Sequence, residues 1–354
     1  MNLKEDCMML GLGCCGGKQV KEFISIYGYK GTAANGSEQD LKILGNISKY
    51  RLQNFDGFGG HRDRAIECLT ENSDFLEFVE GIKEDIVFLL FGGGGSTGSG
   101  CGTILAEMLT QERDEDGVPL KIVCPVISLP SLDEPIVKHK NAYQAVQELQ
   151  DIDGLGATFF INNNVDKDYS TINSTFAKFL DTFLSNDSYG ELNNFDMSER
   201  IEMLRNGGSM VLSLVGTKDK SMMIDKLTKN GIFAPIEDDK VCENIGIIHA
   251  GRDNSDIEKE DIISVLGKPD NVFEGYNGKS TLLVASGLNY PISHIEKLGE
   301  IAKATFEERK RNKTNSGQKR LGGLDFEDEI SKVNTLIKKP STKWEQLQRN
   351  RKKQ

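Results

Sequence analysis

The segment FGGGGSTGSGCGTILAEML, residues 91–109, places glycine, serine and threonine between two apolar stretches. Glycine loses more conformational entropy on folding than any other residue, so a run of this kind needs a structural reason. A flexible linker is one explanation, and a loop whose backbone must approach a ligand is the other. Because apolar residues flank the run closely on both sides, the linker explanation fails. The segment therefore predicts a strand, a tight glycine loop and a helix in direct succession.

The first half of the chain alternates between short apolar runs and helical patterns. The runs with the length and composition of buried parallel strands are 8–12, 85–91, 121–129 and 157–161. The helical patterns that separate them are 17–28, 63–82, 102–115 and 140–152. This alternation predicts a doubly wound α/β sheet, which binds its ligands beyond the carboxyl ends of the strands. The glycine loop lies at such an end.

The second half begins with a long amphipathic pattern, 166–185, in which apolar side chains recur at helical spacing. Three further apolar runs predict a second set of strands, at 209–216, 244–251 and 280–287. A helix follows, and Ser293 and Glu296 have the spacing of a capping box at its start. From about Asn312 the chain is polar, which predicts a mobile tail.

The composition excludes several classes of protein. The 354 residues are enough for two domains, and no apolar run reaches the roughly 18 residues of a membrane-spanning helix, so we expect no membrane contact. Seven cysteines without a paired CxxC spacing favour reduced thiols in a cytoplasm. The net charge of −11 argues against a nucleic-acid-binding body, although residues 338–354 hold seven Lys or Arg against one Glu.

The glycine loop has the chemistry of an anion-binding site. A helix that begins directly after glycines presents backbone N–H groups at its positive end, and phosphate is the usual anion there. Thr97 and Ser99 add hydroxyl donors. The other glycine-rich stretch, residues 11–19, fits neither common nucleotide motif, because Leu12 breaks the P-loop pattern and no acid follows about 20 residues later. Close packing of strand and helix is the alternative explanation for the glycines.

The TGSG core at 97–100, after a glycine run, resembles the signature of the tubulin and FtsZ superfamily of GTPases. That signature reads approximately GGGTGSG, and Ser96 stands here in place of its third glycine. Other stretches follow in the order of the family: GLGCCGG (11–17), TAANGSEQDL (32–41), GFGGHRDRA (57–65), ISLPSLDEPIVKHKNAYQAV (127–146) and FFINNN (159–164). The resemblance extends from about residue 8 to 305 and is greatest to the TubZ branch of plasmids and phages.

The resemblance implies a tubulin/FtsZ-like α/β fold. Residues 1–165 would form a GTP-binding domain with a Rossmann-like parallel sheet, and 166–187 would form the long central helix. Residues 188–290 would form the synergy loop and a second, smaller α/β domain that activates hydrolysis. Residues 291–312 would form a C-terminal helix, and 313–354 a flexible tail with a basic end.

The resemblance also implies a site for GTP or GDP with Mg²⁺, without a cluster of protein metal ligands. Asn163 would read the base, with Asn162 and Asn164 as alternatives. Tyr169 and Asn173 would meet the guanine, and Phe176 is an alternative stacking residue that core packing explains equally well. The full set of expected nucleotide contacts is Gly11, Gly13, Cys14, Cys15, Gly16, Asn35, Gly59, Gly60, Gly94, Gly95, Ser96, Thr97, Gly98, Ser99, Gly100, Asp133, Glu134, Lys138, Asn163, Tyr169, Asn173 and Phe176.

The stretch NFDMSE gives Asn194, Asp196 and Glu199 the pattern NxDxxE, which resembles the synergy loop of the family. On spacing alone, two acids in a first helical turn indicate helix capping. The resemblance instead implies that these three residues act on the GTP of the next subunit. Hydrolysis would then depend on head-to-tail polymerisation.

The implied function is a GTP-hydrolysing filament that segregates or positions plasmid or phage DNA in a bacterial cytoplasm. Its partners would be other copies of the chain and a DNA-bound adaptor reached by the basic tail, or DNA itself through counterion release. Four alternatives remain: a phage-spindle tubulin, an FtsZ-type division protein, a monomeric Rossmann nucleotide enzyme and a nucleotide-binding protein without turnover.

Overall fold

A computed structural model of the chain describes residues 3–185, 195–216, 218–250, 257–276 and 278–315. Of the predicted features, Asn194 and the basic end of the tail lie outside these residues. No helix in the described ranges is both long enough and apolar enough to cross a membrane.

The first sheet has six strands, all parallel, in the order β3-β2-β1-β4-β5-β6. The strands are β1 (Cys7–Leu12), β2 (Lys30–Asn35), β3 (Lys49–Arg51), β4 (Ile86–Gly92), β5 (Ile122–Leu129) and β6 (Phe159–Asn162). The predicted doubly wound α/β sheet is thereby confirmed. Because the chain proceeds outward from β1 in one direction and from β4 in the other, the order reverses between these two neighbours. Such a reversal opens a crevice at the carboxyl ends of the strands.

Helices cover both faces of this sheet. They are α1 (Gly13–Glu22), α2 (Glu38–Lys42), α3 (Arg62–Glu71), α4 (Ser73–Glu80), α5 (Ser96–Leu109) and α6 (Ile136–Gln150). The predicted single helix over 63–82 is two helices, because Asn72 has the non-helical dihedral angles φ −116° and ψ 62°. Helix α5 begins at Ser96, six residues earlier than predicted, so the end of the glycine run forms its first turns.

Helix α7 (Tyr169–Leu184) is the predicted central helix, and the side chain of Asp168 caps its start by accepting from Ser170 N. Ile172, Phe176, Leu180 and Phe183 lie on its buried face, as the apolar spacing predicts. The ring of Phe176 is fully buried and meets the rings of Phe23, Phe159 and Phe233. Its assignment as a base-stacking residue is therefore wrong, since its edges and faces are occupied by the core.

The second sheet has four strands in the order β7-β10-β8-β9. They are β7 (Ser209–Val215), β8 (Asn244–Ile248), β9 (Asn271–Gly275) and β10 (Thr281–Leu288), with helices α8 (Met197–Arg205), α9 (Lys220–Thr228), α10 (Lys259–Leu266) and α11 (Ile292–Asn315). Strand β10 is antiparallel to β7 and β8, whereas β8 and β9 are parallel.

Two hydrophobic clusters follow from the alternation of side chains along the first sheet. Met9, Phe88 and Leu90 point into a cluster that includes α7 and the second sheet. Leu10 and Leu89, on the opposite face, point into a cluster formed with α3 to α6 and the start of α11. Helix α7 and the second sheet therefore share one continuous core with the first sheet. The domain boundaries given above remain predictions.

Candidate functional site

The loops after β1 and β4 meet at the point where the strand order reverses. Gly13 has φ +72°, a left-handed conformation that glycine adopts readily. A Cβ atom on Gly13 would lie 3.2 Å from Thr97 Cβ and 3.3 Å from Gly98 N, and one on Gly92 would lie 3.0 Å from Cys15 Cβ. The two glycine stretches singled out in the sequence thus form adjoining walls of one crevice.

Both walls present the positive end of a helix. Helix α1 follows Leu12 and helix α5 follows Gly95, and no side chain caps either helix. The first N–H groups of an α-helix have no intrahelical acceptor, and neither first turn contains an acid. Two uncapped helix N-termini at one crevice are suited to bind an anion with several charged oxygens.

The two hydroxyl residues of this loop differ in their surroundings. Ser99 is fully buried, and its Oγ donates to Gly95 O at 2.5 Å, so the hydroxyl closes a helical turn. The expectation that the Ser99 hydroxyl donates to a ligand is therefore wrong. Thr97 is 7% exposed, and its hydroxyl has no hydrogen-bond partner in the described part of the chain.

Several of the predicted contact glycines are required by packing. A Cβ on Gly16 would lie 1.9 Å from Leu90 O, and one on Gly11 would lie 2.4 Å from Gly16 O. A Cβ on Gly98 would lie 2.9 Å from Phe91 Cβ, and one on Gly100 would lie 2.9 Å from Arg62 O. Gly11, Gly16 and Gly98 let α1 and α5 approach the strands, and Gly100 lets α5 approach α3, whatever these glycines contact in a ligand.

A carboxylate that the sequence did not single out lies after β2. Asn35 Nδ2 donates to Asp40 Oδ2 at 3.0 Å, and Asn35 Oδ1 accepts from Ser37 N at 3.1 Å. Burial, and then the charge of Asp40, raises the pKa of the Cys14 thiol in the first glycine loop. Burial likewise raises the pKa of the neighbouring Cys15 thiol. Asp40 stands within TAANGSEQDL, but only its proximity to Cys14 in space identifies it.

The loop after β5, with the starts of α6 and α7, brings together four predicted residues. Ser131 Oγ donates to a carboxylate oxygen of Asp133 and lies 3.4 Å from Tyr169 Oη at the start of α7. The hydrogen bond from Ser131 lowers the pKa of Asp133. Lys138 Nζ lies 2.6 Å from Glu134 Oε1, and Lys138 Cβ would be 2.7 Å from a Cβ on Gly94. Asp133, Glu134, Lys138 and Tyr169 thus all lie at the carboxyl edge of the first sheet.

The three consecutive asparagines that begin at the last residue of β6 differ in their hydrogen bonding. Asn162 Oδ1 accepts from both the backbone N and Nδ2 of Asn164, and Asn164 Oδ1 accepts from Leu132 N at 2.8 Å. The side chain of Asn163 is half-buried and makes no hydrogen bond to any described residue. Asn173, one helical turn after Tyr169, is 7% exposed and its amide is likewise without a partner in the described ranges. Asn163 and Asn173 are therefore the amides available to a ligand.

The acidic pair Asp196 and Glu199 forms a capping box at the start of α8. Asp196 Oδ1 accepts from Ser198 N at 2.7 Å, and Glu199 Oε2 accepts from Asp196 N at 2.9 Å. A hydrogen bond from Glu199 lowers the pKa of Asp196, and burial followed by this hydrogen bond raises the pKa of Glu199. Asp196 is exposed at the surface, so the structural role in capping leaves its charge accessible.

These acids lie at the opposite edge of the first sheet from the glycine loops. Helix α8 ends beside the amino end of β6, where Leu204 O accepts from Ala157 N at 2.8 Å. Its Arg200 donates to Phe183 O and Ser185 O at the end of α7. Tyr169, at the other end of α7, is near Ser131 at the carboxyl edge. The 16 residues of α7 span about 24 Å, which is the approximate separation of the two edges.

No protein-family model matches the chain. The tubulin-like protein TubZ of a Clostridium botulinum C phage is 24% identical over 343 residues, covering 93% of this chain and 92% of that protein. The structure of tail-truncated TubZ from Clostridium botulinum phage c-st superposes with a TM-score of 0.74 at 24% identity, covering 86% of this chain and 99% of that chain.

A second solved structure is a protofilament of TubZ from Bacillus thuringiensis serovar israelensis in its GTPγS form. It superposes with a TM-score of 0.72 at 15% identity, covering 88% of this chain and 94% of that chain. The chain has the fold of these TubZ structures, and its sequence is similar to that of phage TubZ along most of its length.

Proposed function

We propose that this chain is a GTPase that assembles head to tail, and that each active site is completed by the next subunit. The observation that carries the proposal is that the anion crevice and the Asp196–Glu199 pair lie toward opposite ends of α7, whose 16 residues span about 24 Å. Side chains cannot cross this distance, so the acids of one subunit cannot reach its own crevice. They reach the crevice of a neighbour that stacks on the opposite edge.

The nucleotide is a guanine nucleotide in this proposal. The Bacillus thuringiensis TubZ protofilament is in a GTPγS form, which supports the same class of ligand here. The uncapped starts of α1 and α5 would hold the phosphates, and the unpaired amides of Asn163 and Asn173 would pair with the base edge, since an amide both donates and accepts. Tyr169 would cover the face of the base.

Mg²⁺ fits this arrangement without a dedicated protein cage. No cluster of three or more metal-ligating side chains occurs in the part of the chain that the structure describes. Mg²⁺ commonly keeps several waters and uses one or two carboxylates with substrate phosphates. The Asp40 carboxylate, beside Cys14, is a suitable oxygen at this edge, and bound Mg²⁺ would neutralise phosphate charge.

Asp196 would orient the attacking water in the crevice of the neighbouring subunit. The hydrogen bond from Glu199 lowers the pKa of Asp196, so this carboxylate is ionised at neutral pH and can accept a hydrogen bond from the water that it orients. Glu199 would support Asp196 through the hydrogen bond between the two carboxyls, and Asn194 would contribute from outside the described residues. A head-to-tail contact that repeats without closing produces a filament.

Substitution of Asp196 by Asn tests this proposal, because Asn caps helices as well as Asp does and only the charge is lost. We expect wild-type GTP turnover per molecule to rise steeply above a threshold protein concentration. The Asp196→Asn variant should bind GTP and form persistent filaments, and its rate of GTP hydrolysis should fall by about 100-fold or more. Asp219→Asn, which alters the N-cap of α9, is the matched control and should retain wild-type turnover.

Two results would contradict the proposal: turnover per molecule that is independent of concentration, or full turnover by Asp196→Asn. The first would favour a monomeric nucleotide enzyme. Binding of GTP without any turnover would favour a nucleotide-binding protein that does not hydrolyse it.

We further propose that the filament moves or positions plasmid or phage DNA. The support is the similarity to a phage TubZ and the basic composition of 338–354, which would attract a DNA-bound adaptor or DNA itself. Deletion of 338–354 should abolish salt-sensitive capture of adaptor-bound DNA and leave GTP turnover unchanged. Capture that survives the deletion would contradict this role of the tail. A phage-spindle or division role is the alternative, and filament behaviour in cells distinguishes these.

A further inference from the structure

We propose that Asn141 is a positioning residue that pins two turns of the phosphate crevice to helix α6. Asn141 is 4% exposed, and its single Nδ2 donates to Gly60 O at 3.1 Å and to Gly94 O at 3.2 Å. One carbonyl belongs to the turn before α3, and the other belongs to the glycine loop after β4. Both hydrogens of one amide group are thereby spent on joining two separate loops.

The joined segments are tight turns with their own closing hydrogen bonds. His61 N donates to Phe58 O at 3.0 Å, and Gly95 N donates to Gly92 O at 3.1 Å. Each closing bond sets the shape of its turn but leaves the orientation of the turn relative to the other one open. Asn141 sets that relative orientation, because each carbonyl it holds fixes the plane of a peptide unit.

The same face of α6 approaches both turns one helical turn earlier. A Cβ on Gly60 would lie 3.3 Å from Val137 Cγ1, and a Cβ on Gly94 would lie 2.7 Å from Lys138 Cβ. Helix α6 thus packs against both glycine-rich turns. Gly59 and Gly60 have φ values of +59° and +84°, so this turn depends on glycine and gains little rigidity from its own side chains.

Asn141 holds the carbonyl groups of Gly60 and Gly94, and backbone N–H groups of the same two turns stay available. The backbone N–H groups of Gly59, Gly60 and Gly94 have no acceptor among the residues that the structure describes. Gly94 is buried and Gly60 is half-buried, and such N–H groups are nearly always paired, so these two unpaired donors in two joined turns are suited to phosphate oxygens; Gly59 is exposed and adds a solvent-accessible donor beside them. Asn141 therefore does not contact the ligand itself and acts through the placement of these donors.

This inference rests on the proposed function and adds that Gly59 and Gly60, which the sequence resemblance gives as nucleotide contacts, lie against the terminal phosphate of GTP. Loss of the Asn141 amide should consequently weaken the binding of a triphosphate more than that of a diphosphate. We expect Asn141→Ala to bind GTPγS about tenfold more weakly and GDP less than threefold more weakly than wild type, in calorimetric titrations below the assembly threshold. Asn141→Asp, which keeps the shape but replaces the donor by an acceptor, should have at least the same effect.

The matched control is Asn72, another buried asparagine whose Nδ2 donates to two carbonyls, those of Cys68 and Gln53, away from the crevice. Asn72→Ala should lower the melting temperature at least as much as Asn141→Ala, yet weaken GTPγS and GDP binding equally. The inference would be overturned, with the proposed function intact, if Asn141→Ala weakened the binding of GTPγS and GDP equally. Unequal weakening of the two affinities by Asn72→Ala would overturn it as well. A wild-type chain that binds neither nucleotide would overturn the proposed function and this inference with it.

Discussion

At the scale of single residues, Asn173 links stability and recognition. Its side chain is 7% exposed, and its amide has no hydrogen bond to any residue that the structure describes. The amide atoms of Asn173 are not among the fully buried polar atoms that lack a partner, so water can reach them in the nucleotide-free chain. Asn173 should therefore add little to the stability of the nucleotide-free chain while strengthening nucleotide binding.

Replacement of Asn173 by Leu, which has a similar volume, separates these two effects. We expect the free energy of unfolding without nucleotide to be unchanged or to rise by up to about 1 kcal/mol, as measured by urea denaturation. The affinity for GTPγS should fall about tenfold or more, because the base edge loses its amide partner. Asn162→Leu is the control and should lose stability, since Asn162 Oδ1 accepts two hydrogen bonds. Unchanged nucleotide affinity in Asn173→Leu would remove Asn173 from the site.

The residues of the site differ in how far the sequence could identify them. The glycine stretches were predictable because few other residues tolerate both tight turns and close backbone approach. Asp40 and Asn141 were not, because their significance lies in contacts with residues distant along the chain, such as Cys14 and Gly94. Ser99 was assigned to the ligand by its position in a motif, and Phe176 was an alternative stacking residue that core packing explained equally well; the packing of the protein itself uses both side chains.

At the scale of elements, the approach of α1 to β4 determines the geometry of the crevice. Gly16 lies against the backbone of β4, where a Cβ would be 1.9 Å from Leu90 O. A backbone atom in the middle of a sheet cannot move aside as the end of a flexible side chain can. The close approach of α1 also brings Gly13 to the start of α5.

Substitution of Gly16 by Ala should separate α1 from the sheet. We expect it to lower the free energy of unfolding by about 1–3 kcal/mol, the usual range for overpacking, as measured by urea denaturation. Gly216→Ala is the control, because a Cβ on Gly216 would meet nothing within 4 Å. A Gly16→Ala variant as stable as wild type would contradict the close approach of α1 and β4.

The elements that the sequence did not predict share physical causes. Strands β2, β3 and β9 were not predicted: β3 and β9 are largely half-exposed, and the buried residues of β2 are small or polar, so none of them has the continuous apolar run that marked the other strands. The early start of α5 was hidden because glycine and serine have low helix propensity, and packing against Phe91 overrides it. The buried strands of the first sheet and the face of α7 were predictable because each buries apolar side chains at its own period.

At the scale of the whole molecule, the crevice and the acidic pair lie at opposite edges of the first sheet. The crevice is at the carboxyl edge, the Asp196–Glu199 pair is near the amino edge, and α7, about 24 Å long, runs between these edges. Continuous hydrophobic packing between α7, the first sheet and the second sheet holds this separation. A single copy therefore provides the nucleotide pocket of one proposed site at one end and the acids of another proposed site at the opposite end.

Mixing two inactive variants is the sharpest test of an active site that two subunits share. Ser96→Asp places a negative charge at the start of α5, which should stabilise the helix end and repel phosphate, so this variant lacks a pocket but keeps its acids. Asp196→Asn keeps the pocket and lacks the acid. The account predicts that each variant alone hydrolyses GTP negligibly and that their mixture recovers measurable turnover. Mixing Asp196→Asn with a chain carrying both substitutions should recover none, and a mixture of the two single variants that stays inactive while forming joint filaments would contradict the account.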